Sequence, residues 1–130
     1  MISDLEPVAT LPVKDMGAAR QFYEGVLGLS SKMEGPDGSV VYGAGSGAVM
    51  VYPSTFAGTN KATAVSFQVP KDGFDAEVSA LRGKGVSFHT FEADELTWDD
   101  GVASFGDDYR SVWFEDPDGN ILNVVAASFT

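Results

Sequence analysis

The first half of the chain combines apolar runs of strand length with one stretch of helical periodicity. Residues 8–13 predict a strand. Asp15 suits the N-cap of a following helix, because its carboxylate can accept from free amides of the first turn, and Gly28 suits its end. The helical stripe has offsets of 0, 3, 4, 7 and 8 and consists of Ala19, Phe22, Tyr23, Val26 and Leu27. Short strands are then predicted over residues 29–33, 39–42 and 48–52.

The second half repeats this order of elements. Residues 64–69 predict a strand with alternating apolar positions, and Asp72 resembles a second N-cap. A second helical stripe, ending at Gly83 and Gly85, is formed by Phe74, Val78 and Leu81. Further strands are predicted over residues 86–91, 111–115 and 121–126.

Two copies of one order of elements indicate an internal duplication. We predict an α+β fold of two βαβββ modules, about residues 5–58 and about 59–128, with helices packed on one sheet face. A chain of 130 residues suits one domain, here residues 1–130, because it can form a single core.

Residues 92–110 interrupt the second copy. This stretch lacks clear periodicity and predicts a functional loop or lid; the alternative is a solvated acidic loop whose aromatic residues enter the core. Trp98 and Phe105 lie among its seven acidic residues, which are Glu92, Asp94, Glu95, Asp99, Asp100, Asp107 and Asp108.

Charge and residue usage exclude several kinds of chemistry. The net charge of −11 disfavours nucleic acids and anionic membranes as partners. The absence of cysteine excludes disulfides, thiol nucleophiles and Cys-zinc sites. The single histidine, His89, cannot form a histidine cluster within one chain. We expect no catalytic residue and no cofactor, and a cytoplasmic protein because neither a secretory signal nor a spanning segment is evident.

Three segments resemble the vicinal oxygen chelate superfamily, which includes glyoxalase I, extradiol dioxygenases, and fosfomycin- and bleomycin-resistance proteins. They are LPVKDMGAARQFYEGVLGL from Leu11, AVSFQVPKD from Ala64 and VWFEDPDGNILNVV from Val112. The resemblance implies tandem βαβββ modules whose curved mixed sheets enclose a cleft. It also implies homodimers, since pairing of modules within or between chains completes the clefts and covers open sheet edges.

Active enzymes of that family hold one divalent metal with His and Glu residues on four strands. The resemblance places these ligand positions at Val8, Val51, Ala64 and Asn123. Three of these side chains have no donor atom, and Asn123 offers only a neutral amide. We therefore expect a member of the superfamily without a metal.

A fold that keeps the cleft without the metal implies a small-molecule site. The expected ligand-binding residues are Thr10, Tyr42, Tyr52, Ser66, Trp98, Asp99, Asp100, Phe105, Trp113 and Asn123. Acidity and aromatic side chains favour a cationic aromatic ligand, sequestered as in bleomycin-resistance proteins. The alternative is a lyase or dioxygenase-like enzyme with displaced or lost metal ligands, and enzyme activity is left open.

Overall fold

A computed structural model describes residues 1–106 and 109–126 of the chain. The chain divides into two compact units. Unit 1 comprises Met1–Ala64 and Asp116–Asn120, and unit 2 comprises the described residues of Val65–Glu115 and Ile121–Thr130. Asp107 and Asp108, two of the acidic residues noted above, lie outside the described residues.

Unit 1 contains the predicted βαβββ order after a short 3₁₀ turn at Ile2–Asp4. The elements are β1 (Ala9–Val13), α1 (Met16–Arg20), a π-helix that continues α1 (Gln21–Val26), β2 (Ser30–Glu34), β3 (Val40–Ala44) and β4 (Gly47–Pro53). The sheet has the order β1-β4-β3-β2, with β1 and β4 parallel and the other neighbours antiparallel.

The core of unit 1 lies between one face of this sheet and the helix. Alternation on β1 buries Leu11 and Val13 and leaves Thr10 exposed. Asp15 caps α1 as predicted, since its Oδ1 accepts from the amides of Gly17 at 2.8 Å and Ala18 at 3.2 Å. Gly28, with φ of 72°, follows the helical segment in the left-handed conformation that glycine adopts without strain.

Unit 2 contains one helix and a five-stranded sheet. The elements are β5 (Thr63–Gln68), a 3₁₀ turn (Lys71–Gly73), α2 (Phe74–Gly83), β6 (Thr97–Asp99), β7 (Val102–Phe105), β8 (Tyr109–Glu115) and β9 (Ile121–Val125). The strand order is β5-β9-β8-β7-β6, and the pairs β6–β7, β7–β8 and β8–β9 are antiparallel. The α+β class is thus confirmed, and no helix among the described residues is long and apolar enough to cross a membrane.

Two local predictions for unit 2 are wrong. Asp72 is not an N-cap: it lies within the 3₁₀ turn, and α2 begins after Gly73 without a side-chain cap. Residues 86–91 do not form a strand. They still approach β8, where the His89 amide donates to the Trp113 carbonyl at 2.8 Å, but one such bond is not a ladder.

The acidic stretch holds regular structure where we expected a loop. Its centre is the β6–β7 hairpin, in which Asp99 pairs with Val102. Asp100 and Gly101 form the two-residue turn, with φ of 48° and 82°. Positive φ at both positions is the requirement of a type I′ hairpin turn, and Asp-Gly is one of its preferred sequences.

Candidate ligand-binding site

Three large aromatic side chains of unit 2 pack together and remain partly accessible. The Phe91 ring lies edge-on to Trp98 at 5.2 Å and to Trp113 at 4.9 Å, and the two indoles are 6.0 Å apart, all between centroids. Phe91 is 47% exposed, and both tryptophans are half-buried. We call Phe91, Trp98 and Trp113 the aromatic cluster.

The register of the sheet explains why the two tryptophans share a face. Trp98 pairs with Ala103, and Ala103 pairs in turn with Ser111. Directly paired residues project to the same side, and so do residues two apart on one strand. Trp113, two residues after Ser111, therefore lies on the same face as Trp98. Asn123 of β9 pairs with Trp113 and so projects to this face as well.

The other face of the sheet packs against α2. Phe114 and Leu122 are buried there. Arg110 projects to the same side, with its guanidinium 4.7 Å from the Phe74 ring centroid at the start of α2. The aromatic cluster thus occupies the sheet face opposite the helix.

A polar pair is buried within the face that carries the cluster. Asn123 is 3% exposed, and its Nδ2 donates to Ser111 Oγ and, at 3.0 Å, to the Val112 carbonyl. Both amide hydrogens are therefore used within the sheet. Asn123, one of the expected ligand-binding residues, pairs with Trp113 on the face of the cluster, but it has no hydrogen left to donate to a ligand.

The carboxylates expected beside Trp98 are directed elsewhere. Asp100 Oδ2 accepts from Arg82 at 2.8 Å, and its carbonyl accepts a second bond from the same guanidinium, which lies 5.1 Å from the Phe88 ring centroid. Asp99 follows Trp98 directly on β6 and so projects to the opposite face. The expected grouping of Trp98 with Asp99 and Asp100 is therefore wrong.

A different carboxylate lies on the face of the cluster. Glu115 is two residues beyond Trp113 on β8 and projects to the same side. Its Oε1 is 3.9 Å from His89 Nδ1, and both side chains are about half exposed. The sequence did not predict Glu115 as a site residue; the even spacing of His89 and Phe91, and of Trp113 and Glu115, was the available signal.

The other expected ligand residues are not part of the aromatic cluster. Phe105 is 53% exposed and packs edge-on to Tyr109 at 6.4 Å. Ser66 is exposed on β5, at one edge of its sheet. In unit 1, Thr10 is exposed, and Tyr52, which pairs with Pro12, is half-buried.

Tyr42 belongs to the core of unit 1. It is fully buried, stacks on Tyr23 with ring centroids 5.8 Å apart, and donates its hydroxyl to Glu24 at 2.8 Å. Burial, together with the nearby Glu24 carboxylate, raises the pKa of Tyr42. A side chain without exposed surface cannot line an accessible pocket, so Tyr42 is removed from the candidate site.

The metal-ligand positions do not fit a divalent ion. Val51 pairs with the buried Leu11 and is itself fully buried, so the expectation that it faces a cleft is wrong. Its neighbours on the opposite face of β4 are Met50 and Tyr52. The side chains of Val8 and Ala64 lack donor atoms for a metal. Asn123 is buried, and its amide hydrogens are bonded to Ser111 and Val112 within the sheet. Among residues 1–106 and 109–126, no three His, Asp or Glu side chains are grouped as a metal site.

Comparison with known proteins agrees with the fold. The family model described as the Glyoxalase/Bleomycin resistance protein/Dioxygenase superfamily matches residues 6–124. No curated protein sequence matches the chain.

Three similar crystal structures illustrate the likeness. An integron cassette protein from the mobile metagenome of the Halifax Harbour sewage outfall is 24% identical, with TM-score 0.68 and coverage of 95% of this chain and 98% of that chain. A mutant of the fosfomycin resistance protein FosX from Listeria monocytogenes, complexed with Mn(II) and 1S,2S-dihydroxypropylphosphonic acid, is 17% identical, with TM-score 0.70 and coverage of 99% of this chain and 94% of that chain. A glyoxalase/bleomycin resistance protein/dioxygenase from Alicyclobacillus acidocaldarius is 16% identical, with TM-score 0.72 and coverage of 94% of this chain and 90% of that chain. The family match over most of the chain shows that this protein belongs to the glyoxalase/bleomycin resistance protein/dioxygenase superfamily.

Proposed function

We propose that this protein binds a small cationic aromatic compound on the aromatic cluster, without a metal. The observation that supports the proposal is the partial exposure of three packed rings on one face of a sheet. Rings held at these distances form a rigid apolar surface on which another flat ring can stack. A binding or sequestering role, as opposed to catalysis, is consistent with the poor metal-ligand set.

The positive charge of the ligand is inferred from two sources. Aromatic faces attract cations, with about 0.5–2 kcal/mol for each favourable contact. The net charge of −11 adds a long-range field that concentrates cations near the surface. Micromolar affinity requires about 8 kcal/mol, so several contacts must act together.

Metal independence is tested by elemental analysis. We expect protein purified without a His tag to contain well below one equivalent of Zn, Ni, Fe or Mn per chain, because the donor set is too poor to hold a divalent ion. One equivalent of any of these metals, retained on gel filtration and needed for ligand binding, would overturn this part of the proposal.

Binding is tested with proflavine, a flat aromatic cation, by quenching of tryptophan fluorescence. Trp98→Ala is expected to weaken binding roughly 5- to 30-fold, equivalent to ~1–2 kcal/mol of stacking and cation–π energy. Phe56→Ala is the matched control, because Phe56 is an aromatic residue of unit 1 that is 76% exposed. Raising NaCl from about 20 to about 500 mM should weaken binding, since salt screens exposed charges.

Equal affinity of wild type and Trp98→Ala, with unchanged unfolding midpoints, would overturn the proposal. The same conclusion would follow if proflavine did not bind at all. We also propose, from the family resemblance, that the protein forms a homodimer, which would cover outer strands of its sheets.

A further inference from the structure

We infer that Glu115 sets the charge preference of this site, and that the site takes an arylalkyl amine. The aromatic ring of the ligand would stack on the aromatic cluster, and its ammonium would lie against the Glu115 carboxylate. The inference rests on the proposed function. It adds an ion-pairing group, the Glu115 carboxylate, at a defined distance from the aromatic cluster.

The first observation is the order of residues on β8. Trp113 and Glu115 are two positions apart on this strand, so both project to the face of the cluster, about 7 Å apart along the backbone. Trp113 pairs with Asn123 and Glu115 with Ile121. A flexible link of two or three carbons between ring and ammonium suits this separation.

The second observation is a matching pair of residues on the adjacent segment, in the reverse order along the chain. Phe91 contacts the Trp113 ring at 4.9 Å, and His89, two residues earlier, places Nδ1 3.9 Å from Glu115 Oε1. The His89 amide fixes the alignment by donating to the Trp113 carbonyl at 2.8 Å. The two segments thus place the Phe91–Trp113 ring contact next to the His89–Glu115 pair.

The third observation is that three other carboxylates of unit 2 are engaged or face away. Asp100 pairs with Arg82, and Asp75 accepts from Arg110, both at 2.8 Å. Asp99 projects to the opposite side of β6. Glu115 is 46% exposed, and within the described part of the chain its basic neighbour is His89, beyond hydrogen-bond distance. Its carboxylate can therefore accept from a ligand ammonium.

The test uses three compounds that share one ring and differ in charge: 2-(2-naphthyl)ethylamine, 2-(2-naphthyl)ethanol and 2-naphthylacetate. Binding is followed by NMR on the indole N–H signals of Trp98 and Trp113, the two tryptophans of the protein, which both belong to the aromatic cluster. For the wild type we expect the amine to bind about two- to fivefold more tightly than the alcohol, the range that an exposed ion pair supplies. The acetate should bind most weakly.

Glu115→Gln should remove most of the preference for the amine while leaving the alcohol affinity unchanged, because the aromatic faces and the remaining net charge supply only a small residual preference. Asp99→Asn removes the same charge from the other face and should keep the preference for the amine. Overturning results are equal affinities in the wild type, or a preference that Glu115→Gln reduces no more than Asp99→Asn does. If none of the three compounds shifts an indole signal, the proposed function itself fails.

Discussion

Replacing Asp116 by alanine is expected to lower the free energy of unfolding by about 3–5 kcal/mol, because a buried hydrogen-bond centre is lost. The Asp116 carboxylate is 4% exposed. Its Oδ2 accepts from the Tyr23 hydroxyl and from Asn120 Nδ2, both at 2.8 Å. Its Oδ1 accepts from the amides of Asp118 at 2.9 Å and Asn120 at 2.8 Å. Alanine leaves all four donors without this acceptor.

The size of the effect follows from burial. Each unsatisfied buried donor costs about 1–3 kcal/mol. Water that enters the site can accept from some of the four donors, so the total cost is smaller than the sum of the four separate costs. Asp118→Ala is the matched control in the same turn. Asp118 is half-buried and its Oδ1 accepts one bond, from the Lys14 amide at 3.1 Å, so about 1 kcal/mol is expected.

Urea unfolding followed by circular dichroism measures both variants against the wild type. Asp116→Asn is measured as well, to separate the effect of charge from that of side-chain volume. The asparagine side chain keeps the volume of aspartate but loses its charge and one acceptor oxygen. Similar losses for Asp116→Ala and Asp118→Ala would show that the buried carboxylate has no special role.

The sequence predicts the Asp116–Asn120 turn but not its partner. Proline, aspartate and glycine at these positions specify a turn from local chemistry alone. Tyr23 is recognisable from its position on a helical stripe as a core residue. The bond between Tyr23 and Asp116 joins residues 93 positions apart, and no local pattern encodes such a separation.

The β6–β7 hairpin could have been predicted and was not. The Asp100-Gly101 pair is a strong signal for a two-residue turn, and Thr97–Asp99 and Val102–Phe105 flank it. The length of residues 92–110 and their lack of clear periodicity suggested a loop instead. Charged side chains are compatible with a strand when they project to solvent, as Asp99 does.

The candidate site was predicted in part. Trp98, Trp113 and Asn123 were named from sequence and share one face of the sheet. Phe91 and Glu115 were missed because their roles depend on the alignment of residues 86–91 with β8. Val51 was assigned to the wrong face because a one-residue error in strand register reverses every side chain.

Stability is expected to fall steeply above about pH 10, the pKa of tyrosine in an unfolded chain. In the folded protein, burial raises the pKa of Tyr23 well above this value, and the adjacent Asp116 carboxylate raises it further. Burial and Glu24 raise the pKa of Tyr42 in the same direction. Both phenols therefore keep their protons at a pH where the unfolded chain loses them.

The sign follows from proton binding. Below about pH 10 both states hold these protons and the two tyrosines cause no pH dependence; above it the unfolded state holds fewer, so the free energy of unfolding decreases with pH. Each tyrosine contributes a slope of about −1.4 kcal/mol per pH unit, hence a combined loss of up to about 5 kcal/mol between about pH 10 and 12.

Urea midpoints measured between about pH 9 and 12 test this expectation, with the slope as the readout because Tyr23→Phe also removes a hydrogen bond to Asp116. Tyr23→Phe and Tyr42→Phe should each remove about half of the alkaline slope. Tyr52→Phe is the matched control, because Tyr52 is only half-buried. If the double variant Tyr23→Phe/Tyr42→Phe kept the wild-type slope, the alkaline loss would have to come from other groups, since Phe has no proton to release at any pH.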